Sequence, residues 1–274
     1  MRTIIIASDF TNIADDATVY AMEAARVVDA KVVLFHLHVM SVHVANARLS
    51  PASLQASLDQ NRETVERKAK QLTEQFGVPV AVEWRMGDFY LELRAAIDTH
   101  QADLVVMGMA QKSIEQDLMG NTTTAAINKL KLPVLAIPKG AKFNGIKKIM
   151  FACDIDRGIH AFVLDKVRTV ALLFDAEVEI FHVSEKLKKI AEQDQLPDHL
   201  AKSFGDGLDG IRYLYKNVSS NAVVQEIENE INRSGIDLLV MVPYRYGFWG
   251  SLVHKSKTRS MASGNSIPLL SIPV

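Results

Sequence analysis

The chain contains a single cysteine, Cys153, among its 274 residues. A disulfide framework within one chain is therefore excluded, which fits a reducing compartment. The 31 basic and 32 acidic residues leave a formal net charge of −1, so no basic field argues for nucleic acid. No apolar run approaches the roughly 20 residues of a membrane span, and the first run, residues 3–8, is too short for a signal peptide. We expect a cytoplasmic protein that contacts neither nucleic acid nor membrane.

Signatures of catalysis are also missing. The sequence has no G-x-S-x-G elbow, no H-E-x-x-H pair and no Walker lysine after a glycine. His36 and His38 share one face of a predicted strand, but no cysteine or carboxylate joins them at the spacing of a metal site. We therefore predict packed or half-exposed histidines, no metal site and no catalytic residue. Cys153 lies at a predicted strand end, where a small buried side chain fits better than a nucleophile.

A repeat of four segments divides the chain. Each segment recurs in the same order in the second half, and the four pairs are TIIIASDF at 3–10 with KIMFACDI at 148–155, AKVVLFHLHV at 30–39 with AEVEIFHVS at 176–184, DLVVMG at 103–108 with DLLVMV at 237–242, and LKLPVLAIP at 130–138 with NSIPLLSIP at 265–273. Four matches in one order indicate a duplication. We predict two tandem domains, residues 1–142 and 143–274, each large enough to bury its own core.

Apolar strands alternate with amphipathic helices in both halves. This alternation predicts an α/β fold of two doubly wound, flavodoxin-like domains, each with a five-stranded parallel sheet and helices on both faces. Thr11 or Asn12 is expected to cap the first helix, Ser50 the next and Asp88 the third. Ligands of such sheets bind beyond the carboxyl ends of the strands where the strand order reverses. If the first and fourth strands flank that reversal, Asp9 and Gly108 face each other.

Residues 103–138 carry the strongest binding signal. The pattern is strand, polar loop, helix and strand, and small or hydroxyl residues, Gly120, Asn121 and Thr122, open the helix. Backbone N–H groups at such a junction attract phosphate. The alternative is a plain turn capped by Asn121 or Thr122. Asp9 and its counterpart Asp154 likewise fit either ligand contact or capping of the following helix.

The chain resembles the universal stress protein family in its tandem form. Family members that bind ATP share a loop of the form G-x2-G-x9-G-[ST]. Gly108 and Gly120 match its first and third glycines, whereas Gln111 replaces the second, the spacer is one residue short, and Asn121 precedes the hydroxyl of Thr122. The resemblance implies that the acid after the first strand lies near adenine and ribose and that a backbone position after the second strand contacts adenine. The implied nucleotide-binding residues are Asp9, Leu37, Met107, Gly108, Gly120, Asn121 and Thr122.

The second half departs further from that loop, because Val242 and Pro243 replace the first glycine and its neighbour. Valine adds a side chain where close approach is needed, and proline removes a backbone N–H. The resemblance thus implies a stress-response protein with ATP or another adenine nucleotide as a regulatory ligand in its first half, and Mg²⁺ only alongside it. We expect no enzyme, although a slow ATPase using Asp9 stays open.

The alternative is a ligand-free dimerisation or interaction module. Its partners would be a second copy of the chain, or the two halves of one chain paired through their last strands at Val134–Ile137 and Leu269–Ile272.

Overall fold

The computed structural model describes residues 2–39, 50–109, 122–155, 158–184, 204–243 and 267–274. Two compact units are present, residues 1–108 and 109–274. This division follows packing and assigns the fifth strand of the first repeat to the second unit. The boundary between residues 142 and 143 follows the sequence repeat and stays a prediction.

The first unit alternates strands and helices without interruption. Its elements are β1 (Thr3–Ala7), α1 (Asn12–Val27), β2 (Lys31–His38), α2 (Pro51–Phe76), β3 (Val80–Met86), α3 (Phe89–His100) and β4 (Leu104–Met109). The strand order is β3-β2-β1-β4, and each neighbouring pair is parallel. Residues of β1 are buried throughout, as the β-branched run at 3–8 predicts for a strand covered on both faces.

Helix starts follow the capping residues closely. Thr11 accepts a hydrogen bond from the N–H of Ala14 and is the N-cap of α1, which decides between Thr11 and Asn12. Ser50 caps α2 and Asp88 caps α3, as predicted. Val27, the last residue of α1, is 55 % exposed because the helix ends there.

The second unit repeats the pattern. Its elements are α4 (Thr122–Lys129), β5 (Val134–Pro138), β6 (Lys148–Ala152), α5 (Ala161–Phe174), β7 (Glu177–Ser184), β8 (Tyr213–Ser219), α6 (Val223–Ser234), β9 (Leu238–Met241) and β10 (Leu269–Ser271). Strands β10-β9-β6-β7-β8 are parallel neighbours. Strand β5 lies antiparallel to β10, with Leu135 opposite Leu270. The predicted pairing of the two last strands is therefore present.

The α/β class with mostly parallel strands is confirmed. Numbered within the repeat, the strands of the second unit lie side by side in the order three, two, one, four, five, which is β8, β7, β6, β9, β10. The first unit shows the same order, three, two, one, four, in β3, β2, β1 and β4. The chain therefore reverses direction across the sheet between its first and fourth strands. Among the described helices, none combines the length and hydropathy needed to cross a bilayer.

Candidate functional site

The candidate site lies at the carboxyl edge of the first unit, where β1 and β4 are neighbours. Ala7 at the end of β1 pairs with Met107 in β4. Gly108 comes one residue after Met107 within β4, and Asp9 comes two residues after the end of β1, so both lie at this edge of the sheet. That the two residues face each other stays a prediction. Met107 is 5 % exposed, so its side chain belongs to the core.

Asp9 orders the turn that starts α1. Its Oδ1 accepts a hydrogen bond from the backbone N–H of Thr11 at 3.1 Å and another from the Thr11 hydroxyl at 2.7 Å. Thr11 in turn accepts the N–H of Ala14 at 3.3 Å. Asp9 therefore supports the N-cap residue Thr11 rather than capping α1 itself, and its carboxylate is exposed at the edge. Contact of Asp9 with a ligand stays a prediction.

Gly108 is a glycine because α1 packs onto it. A Cβ built at this position would lie 2.8 Å from both Cγ2 and the carbonyl oxygen of Ile13. Such separations do not occur between real atoms of this kind, so a side chain here displaces the first turn of α1. The sequence interpretation placed a phosphate where glycine permits close approach. In the structure, the backbone of Ile13 makes that approach, which gives the glycine a structural reason of its own.

At the end of β2, His36 is buried and holds the turn after β1. Its Nδ1 lies 2.8 Å from the carbonyl oxygen of Ser8, and its ring stacks on Phe10 with centroids 4.6 Å apart. Burial lowers the pKa of His36, against the smaller opposing effect of the Ser8 bond. A neutral ring that donates from Nδ1 satisfies both observations. His36 is therefore a packed histidine, as predicted.

Phe10 adopts a left-handed backbone conformation with φ of 60°. A non-glycine residue is strained there, and the stack on His36 together with a bond from its N–H to the Ser8 hydroxyl at 3.2 Å holds it. Sequence reasoning missed Phe10. The signal available was its position directly after Asp9, where an apolar ring has no helical or strand periodicity to satisfy.

A second stacked pair lies beside the first. His38 and Trp84 have ring centroids 5.9 Å apart, and the Trp84 indole N–H donates to Asn61 Oδ1 at 2.6 Å. Leu37, between the two histidines, is half-exposed. Because successive residues of a strand point to opposite faces, the His38 and Trp84 rings share one face of the sheet with His36, whereas the Leu37 side chain points to the other face. The sequence analysis did not identify this pair of rings.

Three predicted site residues remain, namely Gly120, Asn121 and Thr122. Gly120 and Asn121 fall outside the described residues. Thr122 is the first residue of α4, is exposed, and belongs to the second unit. Their roles stay predictions. Within the described parts of the chain, no group of three or more histidine, cysteine or acidic side chains is placed to hold a metal ion.

The second unit keeps part of this architecture. His182 Nδ1 lies 3.1 Å from the carbonyl oxygen of Cys153, as His36 does from that of Ser8. The connection after β6 spans residues 153–160, whereas that after β1 spans residues 8–11. Val242 is buried at the position of Gly108. Burial, and less strongly Asp154, raises the pKa of the Cys153 thiol, which makes it a poor nucleophile.

Comparison with known proteins places this architecture in a family. A family model described as the universal stress protein family matches residues 1–138, just over half of the 274 residues. The chain belongs to the universal stress protein family. A universal stress protein of Methanocaldococcus jannaschii is 27 % identical over 143 residues, covering 52 % of this chain and 84 % of the relative.

Solved universal stress proteins extend the similarity to the second half. A structure from Archaeoglobus fulgidus has a TM-score of 0.72 at 16 % identity and covers 99 % of this chain and 98 % of its own. A second, from Pseudomonas aeruginosa, has a TM-score of 0.58 at 15 % identity, with 100 % and 93 % covered. At such identities the likeness concerns the fold alone.

Proposed function

We propose that the chain is a stress-response protein that binds an adenine nucleotide at the carboxyl edge of its first unit. The nucleotide acts there as a regulatory ligand rather than as a substrate, and the second unit acts as a scaffold. The observation that carries the proposal is the position of Asp9 and Gly108 on either side of the strand reversal in a member of this family. The protein is taken to act in the cytoplasm.

The edge supplies complementary chemistry for base, ribose and phosphate. The stacked rings of His38 and Trp84 offer a planar surface for adenine, and Leu37 contributes its backbone, the contact that the family resemblance implies. Asp9 Oδ1 already accepts two hydrogen bonds from Thr11, and a carboxylate has further lone pairs for ribose hydroxyls. The sixteen-residue helix α1 begins at this edge, so the positive end of its dipole favours phosphate.

Acidic residues near the start of α1 oppose that attraction. Asp9 is exposed, and Asp15 lies in the first turn of α1, where an ion pair with Lys68 at 2.9 Å offsets part of its charge. A triphosphate beside these carboxylates is favoured when a divalent cation offsets the negative charge. The proposal therefore includes Mg²⁺ together with ATP, and it expects weaker dependence on Mg²⁺ for AMP, whose charge is smaller.

Titration calorimetry of the full chain with ATP, ADP and AMP, each with and without Mg²⁺, tests this function. The informative variant is Asp9→Asn, because an amide oxygen still accepts the two bonds from Thr11 and preserves the turn. We expect unchanged thermal stability and affinity weaker by about tenfold or more, since charge-assisted hydrogen bonds contribute about 1.5–3 kcal/mol. Asp98→Asn removes an exposed carboxylate from the far end of α3 and serves as the matched control. Absence of heat at millimolar nucleotide, with folded protein, overturns the proposal.

The second candidate is an interaction module without a ligand. Two observations favour it: Asp9 and Gly108 both have structural partners in Thr11 and Ile13, and β5 pairs with β10. Mass spectrometry of small molecules released from the purified protein separates the candidates. About one adenine nucleotide per chain supports the first, and its absence, together with calorimetric silence, supports the second.

A further inference from the structure

Two buried carboxyl groups meet in the second unit. Glu179 lies on β7 and Glu230 on α6, and they are 8 % and 4 % exposed. The Glu179 carboxyl lies within hydrogen-bonding reach of Glu230. Among the described residues, no donor reaches Glu179 Oε1. One carboxyl of the pair is therefore buried without full compensation.

The cations around the pair serve Glu230. Lys216 on β8 donates to Glu230 Oε2 at 2.8 Å, and Arg233 and Ser234 on α6 also donate to this carboxylate. Glu179 receives only the more distant attraction of Arg233 and of Lys148 on β6. These groups come from β6, β8 and α6, the elements packed against β7. Glu230 is thus stabilised as an anion, whereas Glu179 faces that anion.

The first copy of the repeat has an apolar contact at the same place. Val33 is the counterpart of Glu179, because it pairs with Ala81 on β3 in the same register in which Glu179 pairs with Leu214 on β8. Ala96 is the counterpart of Glu230, because each is the eighth residue of its helix. Val33 and Ala96 are 3 % and 0 % exposed. The fold therefore packs here without any carboxyl group. Two acids in place of this contact cost stability unless a proton or a cation accompanies them.

We propose that Glu179 and Glu230 form a proton-holding pair that keeps helix α6 packed on strand β7 and loosens it when the proton is lost. With one proton shared, Glu179 donates to the Glu230 carboxylate and the pair carries a single negative charge. Without it, two carboxylates repel each other beneath the helix. The device is independent of the nucleotide proposed for the first unit.

The pH range follows from the environment of Glu179. Burial, and next the charge of Glu230, raises the pKa of Glu179 to about 7, whereas a carboxyl of an opened helix returns to its ordinary value near 4.5. A group whose folded pKa is raised stabilises the fold fully below the unfolded value, and this contribution is lost as the pH rises through the folded value. Opening of α6 therefore increases with pH, by about five- to sevenfold per pH unit between 5 and 7, and levels off above that range.

Hydrogen exchange of residues 223–234 in the full chain, corrected for the intrinsic pH dependence of amide exchange, measures this opening. We expect protection of α6 to fall about fortyfold from pH 5 to pH 7 in the wild type. Glu179→Gln cannot titrate and removes the slope. Glu177→Gln, two residues away on the same strand, is the matched control and keeps it. Equal slopes in the wild type and Glu179→Gln, or no slope in the wild type, overturn the proposal.

Two measurements guard against a variant that fails to fold. Glu179→Val installs the residue of the first copy and leaves Glu230 with Lys216 and Arg233, so we expect a folded chain whose α6 protection does not depend on pH. Carbon-13 spectra of the glutamate carboxyls in the unmodified chain report the titration directly. One carboxyl that titrates near pH 7 supports the proposal, and titration of all of them below pH 5.5 overturns it.

Discussion

The packing of Ile13 on Gly108 makes a sharp prediction for Gly108→Ala. The new methyl group would lie 2.8 Å from Cγ2 and 2.8 Å from the carbonyl oxygen of Ile13, whereas ordinary contacts begin at 3.4 Å. Rotation of the Ile13 side chain relieves the first overlap but not the second. Either the first turn of α1 or the end of β4 has to move.

The size of the effect follows from the overlap. Each close contact lies about 0.6 Å inside the ordinary range, and one of the two atoms is backbone. Overpacking of this kind costs about 1–3 kcal/mol, and the backbone contact favours the upper end. In a chain of this size, about 2–3 kcal/mol lowers the melting temperature by about 5–10 °C.

Differential scanning calorimetry of the full chain, together with urea unfolding, measures the loss. Gly205→Ala is the matched control, because no atom lies within 4 Å of a Cβ at that position and its φ is not positive. We expect that control to be neutral or slightly stabilising. A Gly108→Ala chain that melts within 2 °C of the wild type would show that α1 does not approach β4 as described.

Two further predictions concern the turn between β1 and α1. Thr11→Ala removes the cap of α1 and the hydroxyl bond to Asp9, while the backbone bond to Asp9 stays, so we expect urea unfolding to show a loss of about 1 kcal/mol, largely restored in Thr11→Ser. Equal stability of Thr11→Ala and wild type would refute the cap. Phe10→Ala and Phe10→Gly both lose the stack on His36, but only glycine adopts the positive φ of this position without strain. We therefore expect Phe10→Gly to be more stable than Phe10→Ala by about 1 kcal/mol in the same assay, and the reverse order would contradict the strain.

Local features of the fold were predictable because their causes are local. The caps Thr11, Ser50 and Asp88 each satisfy an N–H group two or three residues ahead, and the sequence contains both partners within that window. Strand ends follow the same rule, since apolar runs stop where polar residues meet solvent. The neighbourhood of Asp9 and Gly108 was predictable for a different reason, namely that parallel strands with intervening helices allow few orders.

Contacts between distant residues were not predictable in the same way. Gly108 fits both a phosphate cradle and a helix packed against a strand, and the approach of Ile13 that supports the second explanation is visible only in three dimensions. Glu179 lies between apolar residues of β7. From sequence alone, a polar residue at such a position also fits a strand with one solvent-exposed face. The alignment of Val33 with Glu179 was the available signal, because it puts an acid where the first copy has a buried valine.

The two copies distribute charge differently between the third strand of the repeat and the following helix. In the first unit, Glu83 on β3 accepts hydrogen bonds from His100 at 2.6 Å and from Arg85 at 2.5 Å. Burial acts to raise the pKa of Glu83, but the bonds to His100 and Arg85 outweigh burial, so the pKa of Glu83 is lowered. In the second unit Lys216 stands at the position of Glu83, and its acidic partner, Glu230, lies on the helix. With the acid on the helix instead of the strand, Glu230 lies beside Glu179. The proton dependence proposed for α6 follows from this second acid, which the first copy does not have at the position of Val33.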